Sequence, residues 1–215
     1  DWELRNVRLL GTCLHVDSQI TTRYLEHIDI GNKLTIPYTS VVSSRHIVNS
    51  SEFTISLSRS LSRLKQIYFV LVSNAADQKP SRDHKQNVIA TELNEDSDTL
   101  SFQHQVGSAK FPDNPCEGVA EAYYRLQQAV GVALNHDDMS ITPAKFMGNE
   151  AVFGVDFERC GNEATMSGIS TRDGKTMTLS VKGSQVTSTA PHTCYVFQVY
   201  DGIANIRRAA VDIEE

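Results

Sequence analysis

The sequence lacks the closely spaced cysteines that build zinc sites and compact disulfide frameworks. Its four cysteines lie far apart, and no two of them form a C-x-x-C pair. Free cysteine packs as a small hydrophobic residue, so we expect buried, reduced thiols. This expectation applies to Cys13, Cys116, Cys160 and Cys194.

Basic charge is scarce, and long hydrophobic runs are missing. The 20 lysines and arginines are outnumbered by 26 aspartates and glutamates, which gives a formal net charge of -6. An acidic chain lacks the positively charged surface that attracts the phosphates of nucleic acid, so we expect no direct nucleic-acid partner. Because the sequence shows neither a signal peptide pattern nor an apolar run that could span a bilayer, we also expect no membrane insertion.

Metal-binding and phosphate-binding motifs are absent from the sequence. The seven histidines are scattered singly and form no H-x-H or H-E-x-x-H pattern. The densest polar group, His136-Asp137-Asp138, is typical of a solvated turn. Residues 92–98 are acidic but lack the glycine and terminal glutamate of a calcium loop, which indicates a charged surface loop. With no G-x-x-x-x-G-K-[ST] or G-x-G-x-x-G loop either, the sequence predicts neither a metal nor a cofactor.

No pattern for nucleophilic catalysis is present. Ser170 lies in the segment GISTR, which lacks the final glycine of G-x-S-x-G and leads toward a hairpin rather than a helix. One enzyme class stays open, a sandwich-fold hydrolase, because the two carboxylates of a glycosidase can come from distant strands. With no catalytic residue to assign, we predict that the chain is not an enzyme.

The sequence does contain a series of short strands separated by polar turns. Apolar alternation and β-branched runs predict about eight strands. They cover residues 4–16, 33–38, 52–58, 66–73, 99–106, 151–157, 175–182 and 193–200. The continuous apolar run QIYFVLVS, residues 66–73, is typical of a central strand buried on both faces. Before the seventh strand, Asp173-Gly174 predicts a tight hairpin turn with positive φ at Gly174.

One helix is well specified, at residues 114–130. Asn114 is a good N-cap, Pro115 suits the first helical position, Glu117 completes a capping box, and Gly131 can end the last turn. An apolar stripe at helical spacing predicts that this helix packs on the sandwich. The stripe consists of Val119, Ala122, Tyr123, Leu126 and Val130.

Two further segments have recognisable patterns. Asp17 or Ser18 can cap a short helix in SQITTRYLEHI, where Ile20, Tyr24 and Ile28 follow helical spacing. Residues 75–98 hold many charged and few large apolar residues, which indicates an exposed excursion. A second long polar excursion is expected at residues 113–139.

The pattern as a whole predicts an all-β fold of eight strands, with the helix in a long connection between the fifth and sixth. We expect residues 1–215 to form a single domain, because β-sandwiches of this size commonly do so. The layout matches a jelly roll, in which two four-stranded sheets pack face to face. Such sandwiches are more often binding or assembly modules than enzymes.

Specific stretches also resemble a known family. Residues 105–132 and 151–183 resemble the second jelly roll of double-jelly-roll viral major capsid proteins of the adenovirus hexon, Polinton and virophage type. In that family a proline-bearing turn leads into a helix, and a later "fG-D-E … sG-sT-G" run leads into a strand. The matching residues here are Gly107, Pro112, Pro115, Leu126, Gly154, Asp156, Glu158, Gly168, Thr171 and Gly174. Arg63, Leu64 and Lys65 are similar to the family's "r-LK" motif before a central strand.

This resemblance implies a structural protein of a viral capsid without catalysis. Its subunits would form homotrimers that tile an icosahedral shell together with other capsid proteins. It would reside in the virion, would be assembled inside the host cell, and would leave genome binding to other proteins. A carbohydrate- or receptor-binding β-sandwich module is the alternative function. The resemblance names no residues at the subunit interface.

The resemblance also bears on the extent of the protein. A full double-jelly-roll protein is roughly twice as long as this chain, because it carries two such domains. The chain is therefore either the C-terminal half of one or a single-jelly-roll relative. Since residues 2–10 begin abruptly as a strand, we expect the C-terminal half. We also expect both polar excursions to contact neighbouring subunits or the other jelly roll.

Overall fold

The computed structural model describes residues 8, 11–13, 15–73, 100–131, 139–147, 150–158, 167–172, 176–184, 186–208 and 210–214. The strands are β1 (Leu34–Val48), β2 (Phe53–Leu57), β3 (Leu64–Ser73), β4 (Ser101–Val106), β5 (Ala109–Glu117), β6 (Phe153–Asp156), β7 (Met177–Lys182), β8 (His192–Ile206) and β9 (Val211–Glu214). The helices are α1 (Ser18–Asp29), α2 (Gly118–Val130) and α3 (Pro143–Met147). None of the helices in the described ranges is long and apolar enough to cross a bilayer.

The strands form one long hairpin that folds over on itself. β1 pairs with β8, β2 with β7, β3 with β6 and β4 with β5, all of them antiparallel. Rolling up this hairpin gives sheet A, with strand order β1-β8-β3-β6, and sheet B, with strand order β2-β7-β4-β5. β9 pairs with the end of β8 outside this order. Two four-stranded sheets with this connectivity are a jelly roll, so the predicted fold class is confirmed.

The core lies between the two sheets and is centred on aromatic rings. Phe69 of β3 stacks on Phe153 of β6 at a centroid distance of 4.9 Å. Phe102 of β4 meets both rings in T-shaped, edge-to-face contacts, at centroid distances of 5.3 and 5.6 Å. Such pairs stabilise the core beyond the burial of their area. The aromatic contacts therefore tie sheet A to sheet B at the middle of the sandwich.

β3 is the central strand that the apolar run predicts, but only one of its faces is fully buried. It lies between β8 and β6 in sheet A. Ile67, Phe69 and Leu71 are buried in the core, whereas Tyr68 and Val70 on the outer face are half-buried. The expectation of two buried faces is therefore wrong for the outer one.

The strand predictions differ from the structure at three places, residues 4–16, β5 and β9, and β9 (Val211–Glu214) was not predicted. The described residues within 4–16 are exposed and belong to no strand, so the expected N-terminal strand is wrong there. β5 was not predicted, because Pro112 and Pro115 read as turn residues. β5 is the edge of sheet B and, among the described strands, pairs with β4 alone. Both prolines lie in the shift of register between the pairs Phe102–Cys116 and His104–Phe111, where the ladder needs no N–H from them. The helix therefore still falls between the fifth and sixth strands.

The predicted short N-terminal helix is present as α1. Asp17 is its N-cap, and a carboxylate oxygen of Asp17 accepts the N–H of Gln19 at 2.9 Å. The two β-branched residues are tolerated because their hydroxyls donate to backbone carbonyls one turn earlier, Thr21 to Asp17 and Thr22 to Ser18. No residue of α1 is buried.

α2 begins four residues later than predicted. Cys116 and Glu117 stay in β5, paired with β4, so Asn114 is not the N-cap and Pro115 is not in the first turn. The side chain of Glu121 accepts the N–H of Glu117 at 3.1 Å and takes over the capping role. Gly131 ends the helix in the left-handed conformation, as predicted.

The buried stripe of α2 is close to the predicted one. Four residues of the helix are buried: Val119, Ala122, Leu126 and Ala129. Tyr123 is half-buried, and its ring packs against Phe146 of α3 at 5.3 Å. Val130 is 45% exposed, so its predicted burial is wrong.

Other predictions concern thiols, turns and loops. Cys116 and Cys194 are buried as expected, whereas Cys13 is exposed. The expected excursion at residues 113–139 is wrong for residues 113–117, which belong to β5, whereas residues 118–130 form the helix that was predicted within it. Cys160, Asp173-Gly174, residues 75–98 and His136-Asp137-Asp138 lie outside the described residues.

The packing of α2 predicts the effect of truncating Leu126. Leu126→Ala should lower the free energy of unfolding by about 2–5 kcal/mol, because it opens a cavity in a buried site. Val130→Ala on the same helix is the control, since a substitution at that exposed position should change stability by less than about 0.5 kcal/mol. Urea denaturation followed by circular dichroism measures both. Equal effects of the two substitutions would contradict the packing described here.

Candidate functional site

Several residues that carry the sequence resemblance lie together around the start of β3. Residues 61–65 run between the end of β6 and residues 167–171. We call this group the clasp. It consists of Lys65, Glu158, Gly168, Thr171 and Asp201. The "r-LK" motif and the "fG-D-E … sG-sT" motif thus meet at one site, although they are about a hundred positions apart in the sequence.

Backbone hydrogen bonds hold the two sides of the clasp together. Leu64 and Ile169 exchange both of their backbone hydrogen bonds, at 2.9 and 3.0 Å. Thr171 donates its N–H to the carbonyl of Leu61 at 2.8 Å, and its hydroxyl oxygen accepts the N–H of Leu61 at 2.8 Å. Thr171 is buried, so these bonds satisfy polar groups that have left water. The connection between β6 and β7 is therefore fixed to the chain that leads into β3.

Gly168 is required by this arrangement. Its φ is +109°, which disfavours any residue with a side chain. A Cβ atom at this position would lie 2.5 Å from the carbonyl oxygen of Leu64. The bridge between Leu64 and Ile169 therefore depends on glycine at position 168.

A buried ion pair forms the centre of the clasp. The ammonium of Lys65 lies 3.1 Å from a carboxylate oxygen of Glu158 and 3.8 Å from one of Asp201. The side chain of Lys65 is 10% exposed, and those of Glu158 and Asp201 are 4% exposed. Asp201 also accepts the hydroxyl of Thr39 at 2.7 Å, and Glu158 accepts the hydroxyl of Ser167. The network joins β1, β3 and β8 to the connection after β6.

The outer face of sheet A adds polar groups of β3 and β6 beside this network. Burial raises the pKa of Asp156, and the nearby Glu158 carboxylate adds to the rise; the N–H of Glu158 and the charge of Lys65 oppose it. Burial likewise raises the pKa of Tyr68 to about 12, with the charges of Asp156 and Glu158 contributing. Tyr68 therefore stays protonated, and its hydroxyl donates to the carbonyl of Ala129 at 2.9 Å.

Gly154 lets α2 approach sheet A. A Cβ atom on Gly154 would lie 3.0 Å from the ring of Tyr68 and 3.2 Å from the Cβ of Ala129. The space over Gly154 is thus filled by the Tyr68 ring and by the last turn of α2. This second motif glycine positions the helix, as Gly168 positions the connection after β6.

His104 is a buried histidine in the aromatic core. Its ring lies 5.6 Å from that of Phe157 and 6.3 Å from that of Phe69. Within the described part of the chain, neither of its ring nitrogens has a hydrogen-bond partner. Burial lowers the pKa of His104 to about 3, so the imidazole is neutral at physiological pH.

The outer face of sheet B carries a polar groove of about 710 Å³. Its charged lining residues are Glu52, Lys110, Glu117 and Lys182. No lining residue is aromatic, so the groove offers no flat ring on which a sugar could stack. The groove gives no support to the carbohydrate-binding alternative.

The polar side chains of the clasp hold segments of the fold together. The clasp carboxylates are buried around a lysine and do not face each other across an open cleft. Ser170 is exposed, and its hydroxyl oxygen accepts the N–H of Arg172 at 3.3 Å. Among the described residues, no group of three or more histidine, cysteine, aspartate or glutamate side chains could hold a metal ion.

Residue patterns alone did not reveal the clasp. The resemblance singled out Lys65, Glu158, Gly168 and Thr171, but gave no reason why they should meet. Asp201 was missed, because it directly follows the last predicted strand, residues 193–200, and no motif includes it. One physical signal was present: a lysine directly before the buried run of β3 needs a carboxylate partner.

No family model and no curated protein matches this chain. Solved viral capsid structures are similar to it. The major capsid protein P2 from bacteriophage PM2 is 12% identical, with a TM-score of 0.44, over 81% of this chain and 47% of its own. A chain of the PBCV-1 virus capsid is 10% identical, with a TM-score of 0.47, over 93% of this chain and 55% of its own.

A third similar structure is the mavirus major capsid protein, which is 13% identical with a TM-score of 0.39. The match covers 87% of this chain and 43% of the mavirus chain. This chain thus spans about half the length of the structures to which it is similar.

The clasp predicts a strong effect of removing its lysine. Lys65→Met should lower the free energy of unfolding by about 3–5 kcal/mol, because Glu158 and Asp201 would stay buried without a cation. Adding Glu158→Gln to that variant should recover part of the loss. Arg125→Met, which breaks the more exposed pair with Glu121, should change stability by less than about 1 kcal/mol. Urea denaturation would refute the buried pair if Lys65→Met had no larger effect than Arg125→Met.

His104 predicts a pH dependence of stability. The unfolded imidazole binds a proton below about pH 6.5, whereas the folded one does so only near pH 3. The unfolded state thus gains protons first, and stability falls as the pH drops from 6.5 toward 3. Between pH 7 and 5 this contribution is about 2 kcal/mol. His104→Leu should remove it, which denaturation at both pH values can measure. Parallel losses in the parent and the variant would contradict the assignment.

Proposed function

We propose that this chain is a structural protein of a viral capsid and that it has no catalytic activity. One observation carries the proposal. Several of the residues by which the sequence resembles double-jelly-roll major capsid proteins have definite structural roles in this fold, and they meet in one cluster. Gly168 permits the bridge between Leu64 and Ile169, and Lys65 pairs with Glu158. Thr171 accepts the N–H of Leu61 and so ties the connection after β6 to the chain that leads into β3.

The architecture supports the same role. The folded hairpin places all eight strands of the jelly roll in two sheets, and the aromatic core and the clasp make the sandwich rigid. Rigid sandwiches can present long connections as contact surfaces without changes in the core. Shell subunits need these properties, because each must hold its shape while it contacts several neighbours.

The partners we propose are copies of the same chain and other capsid proteins. Copies would form a trimeric capsomer, and capsomers would tile an icosahedral shell that is assembled inside the host cell and resides in the virion. The acidic charge of the chain suits a shell protein that leaves the genome to other proteins. We further propose that residues 1–215 form one jelly-roll domain, the C-terminal half of a double-jelly-roll subunit.

Light scattering during size-exclusion chromatography tests the assembly role. The purified chain should elute as a trimer or a larger assembly. Replacing residues 75–98 by a short glycine-containing turn should preserve the circular dichroism spectrum but weaken the assembly, because this excursion is proposed to contact neighbours. A parent chain that stays monomeric at high concentration, even when it is joined to its upstream sequence, would contradict the capsid role.

A further inference from the structure

The clasp brings an amine and two carboxyl groups together in the interior of the protein. The ammonium of Lys65 lies 3.1 Å from an oxygen of Glu158 and 3.8 Å from Oδ2 of Asp201. The side chains are 10% exposed for Lys65 and 4% for each acid, so bulk water has little access to them. An amine and a carboxyl group held side by side can condense to an amide with loss of water. The clasp therefore holds the groups of an amide bond as well as those of an ion pair.

Lys65 occupies a β-bulge at the start of β3. Leu64 and Gln66 pair with consecutive residues of β8, so Lys65 is an extra residue with no partner in this ladder. A bulge changes the direction of a side chain, and bulges are common next to functional sites. The bulge here accompanies the placement of the Lys65 ammonium beside Asp201, the residue of β8 that directly follows the pairing with β3.

Backbone hydrogen bonds hold all three residues in place. The carbonyl of Lys65 accepts the N–H of Phe157, the residue before Glu158, at 2.8 Å. The carbonyl of Arg63 accepts the N–H of Asp201 at 3.0 Å. Groups that are fixed in this way react as if they were very concentrated, with effective concentrations of about 10⁵–10⁸ M in well-oriented cases. The fold thus supplies the proximity that condensation needs.

A small movement separates this arrangement from a reactive one. A C–O bond is about 1.2 Å long, so Nζ of Lys65 lies within about 5 Å of Cγ of Asp201. Attack on a carbon atom requires a separation of about 3–3.5 Å. The four-carbon stem of lysine is flexible and can cover the difference while the backbone stays in place.

The two acids differ in their contacts, and this difference assigns their roles. The hydroxyl of Thr39 donates to Oδ1 of Asp201 at 2.7 Å. A donor at this oxygen stabilises the negative charge that develops there when the carbon atom is attacked. Glu158 lies closer than Asp201 to the ammonium of Lys65, which suits a group that accepts its proton. Asp201 is therefore the carboxyl group that is attacked, and Glu158 is the base.

We propose that Lys65 and Asp201 condense to an intramolecular amide bond, with Glu158 as the proton relay. Glu158 first moves a proton from the ammonium to Oδ2 of Asp201, which gives a neutral amine and a carboxylic acid. The electron pair of Nζ then forms a bond to Cγ, and the π electrons of the carboxyl group move to Oδ1. Glu158 takes a proton from the nitrogen and delivers it to Oδ2. The Cγ–Oδ2 bond breaks, the Cγ–Oδ1 double bond forms again, and one water molecule leaves.

The interior of the protein favours the product over the ion pair. Buried charges carry a desolvation penalty, and the amide replaces one ammonium and one carboxylate by a single neutral group. The bond joins the start of β3 to β8 covalently. It forms once and consumes its own side chains, so it gives no enzymatic turnover. The inference goes beyond the proposed capsid role and does not depend on it.

Intact mass spectrometry of the purified, denatured chain tests for the bond. The parent should be lighter than its sequence mass by one water molecule, and after trypsin digestion the peptides that contain Lys65 and Asp201 should stay joined. Glu158→Gln keeps both reacting groups but removes the relay, so bond formation should slow by about a hundredfold or more. Most of this variant should therefore have the full sequence mass.

Two lysine substitutions separate the amide bond from other losses of water. Lys65→Arg removes the reacting amine and should restore the full mass. Lys182→Arg is the matched control at an exposed lysine of β7, and it should keep the loss. Asp201 precedes Gly202, and an Asp-Gly pair can itself lose water by closing on its own backbone nitrogen to a succinimide. A loss that persists in Lys65→Arg would assign the missing water to that reaction and overturn the proposal.

The digest of the parent decides the question even where a variant fails to fold. Separate peptides for Lys65 and Asp201, from a parent with its full sequence mass, would mean that the clasp is an ion pair only. That result would leave the capsid role standing, because the mass of the chain is independent of its assembly. Joined peptides from a parent that stays monomeric would establish the bond and still count against the capsid role.

Discussion

The ladder between β1 and β8 is the constraint on which the rest of this structure depends. The two strands are paired over fifteen consecutive residues each, from Leu34 opposite Ile206 to Val48 opposite His192, without a shift in register. They are the first and last strands of the folded hairpin, so their pairing closes the roll. A slip by one residue would turn every side chain of β8 to the other face and expose its core residues. The ladder thereby fixes which side of sheet A faces sheet B.

The clasp lies where this ladder meets the chain that leads into β3. Asp201 is the first residue of β8 beyond its pairing with β3, and it bonds to Thr39 across the ladder and lies near Lys65. Burying two carboxylates and one lysine carries a desolvation penalty that apolar residues would avoid. The charges instead specify how the strands align, since only one register brings Lys65, Glu158 and Asp201 together. The two motif glycines serve the same end through shape, because each leaves room for a backbone or a ring.

The sequence could predict the parts of this fold that depend on local pattern. Strands such as β7, with alternating Met177, Leu179 and Val181, and the capped helix α1 are of this kind. It could not predict parts that depend on pairing. β5 keeps its two prolines because it lies at an edge, and α2 starts late because β4 holds Cys116 in the sheet. The clasp belongs to the second kind, since its members are brought together by topology alone. Even so, the family motif identified four of its five residues.

β8 is a single uninterrupted strand that runs from the core of the sandwich to its pairing with β9. Strands resist stretching, since their backbone is already near full extension. A pull applied at residues 203–206 is therefore carried along β8 into the sandwich. Two buried polar side chains lie on this path beyond the pairing with β3: Asn205, which bonds to Thr35 and Glu214, and Asp201, which bonds to Thr39 and lies near Lys65. Mechanical load at the periphery of the molecule would thus be resisted by buried polar contacts instead of by a loop.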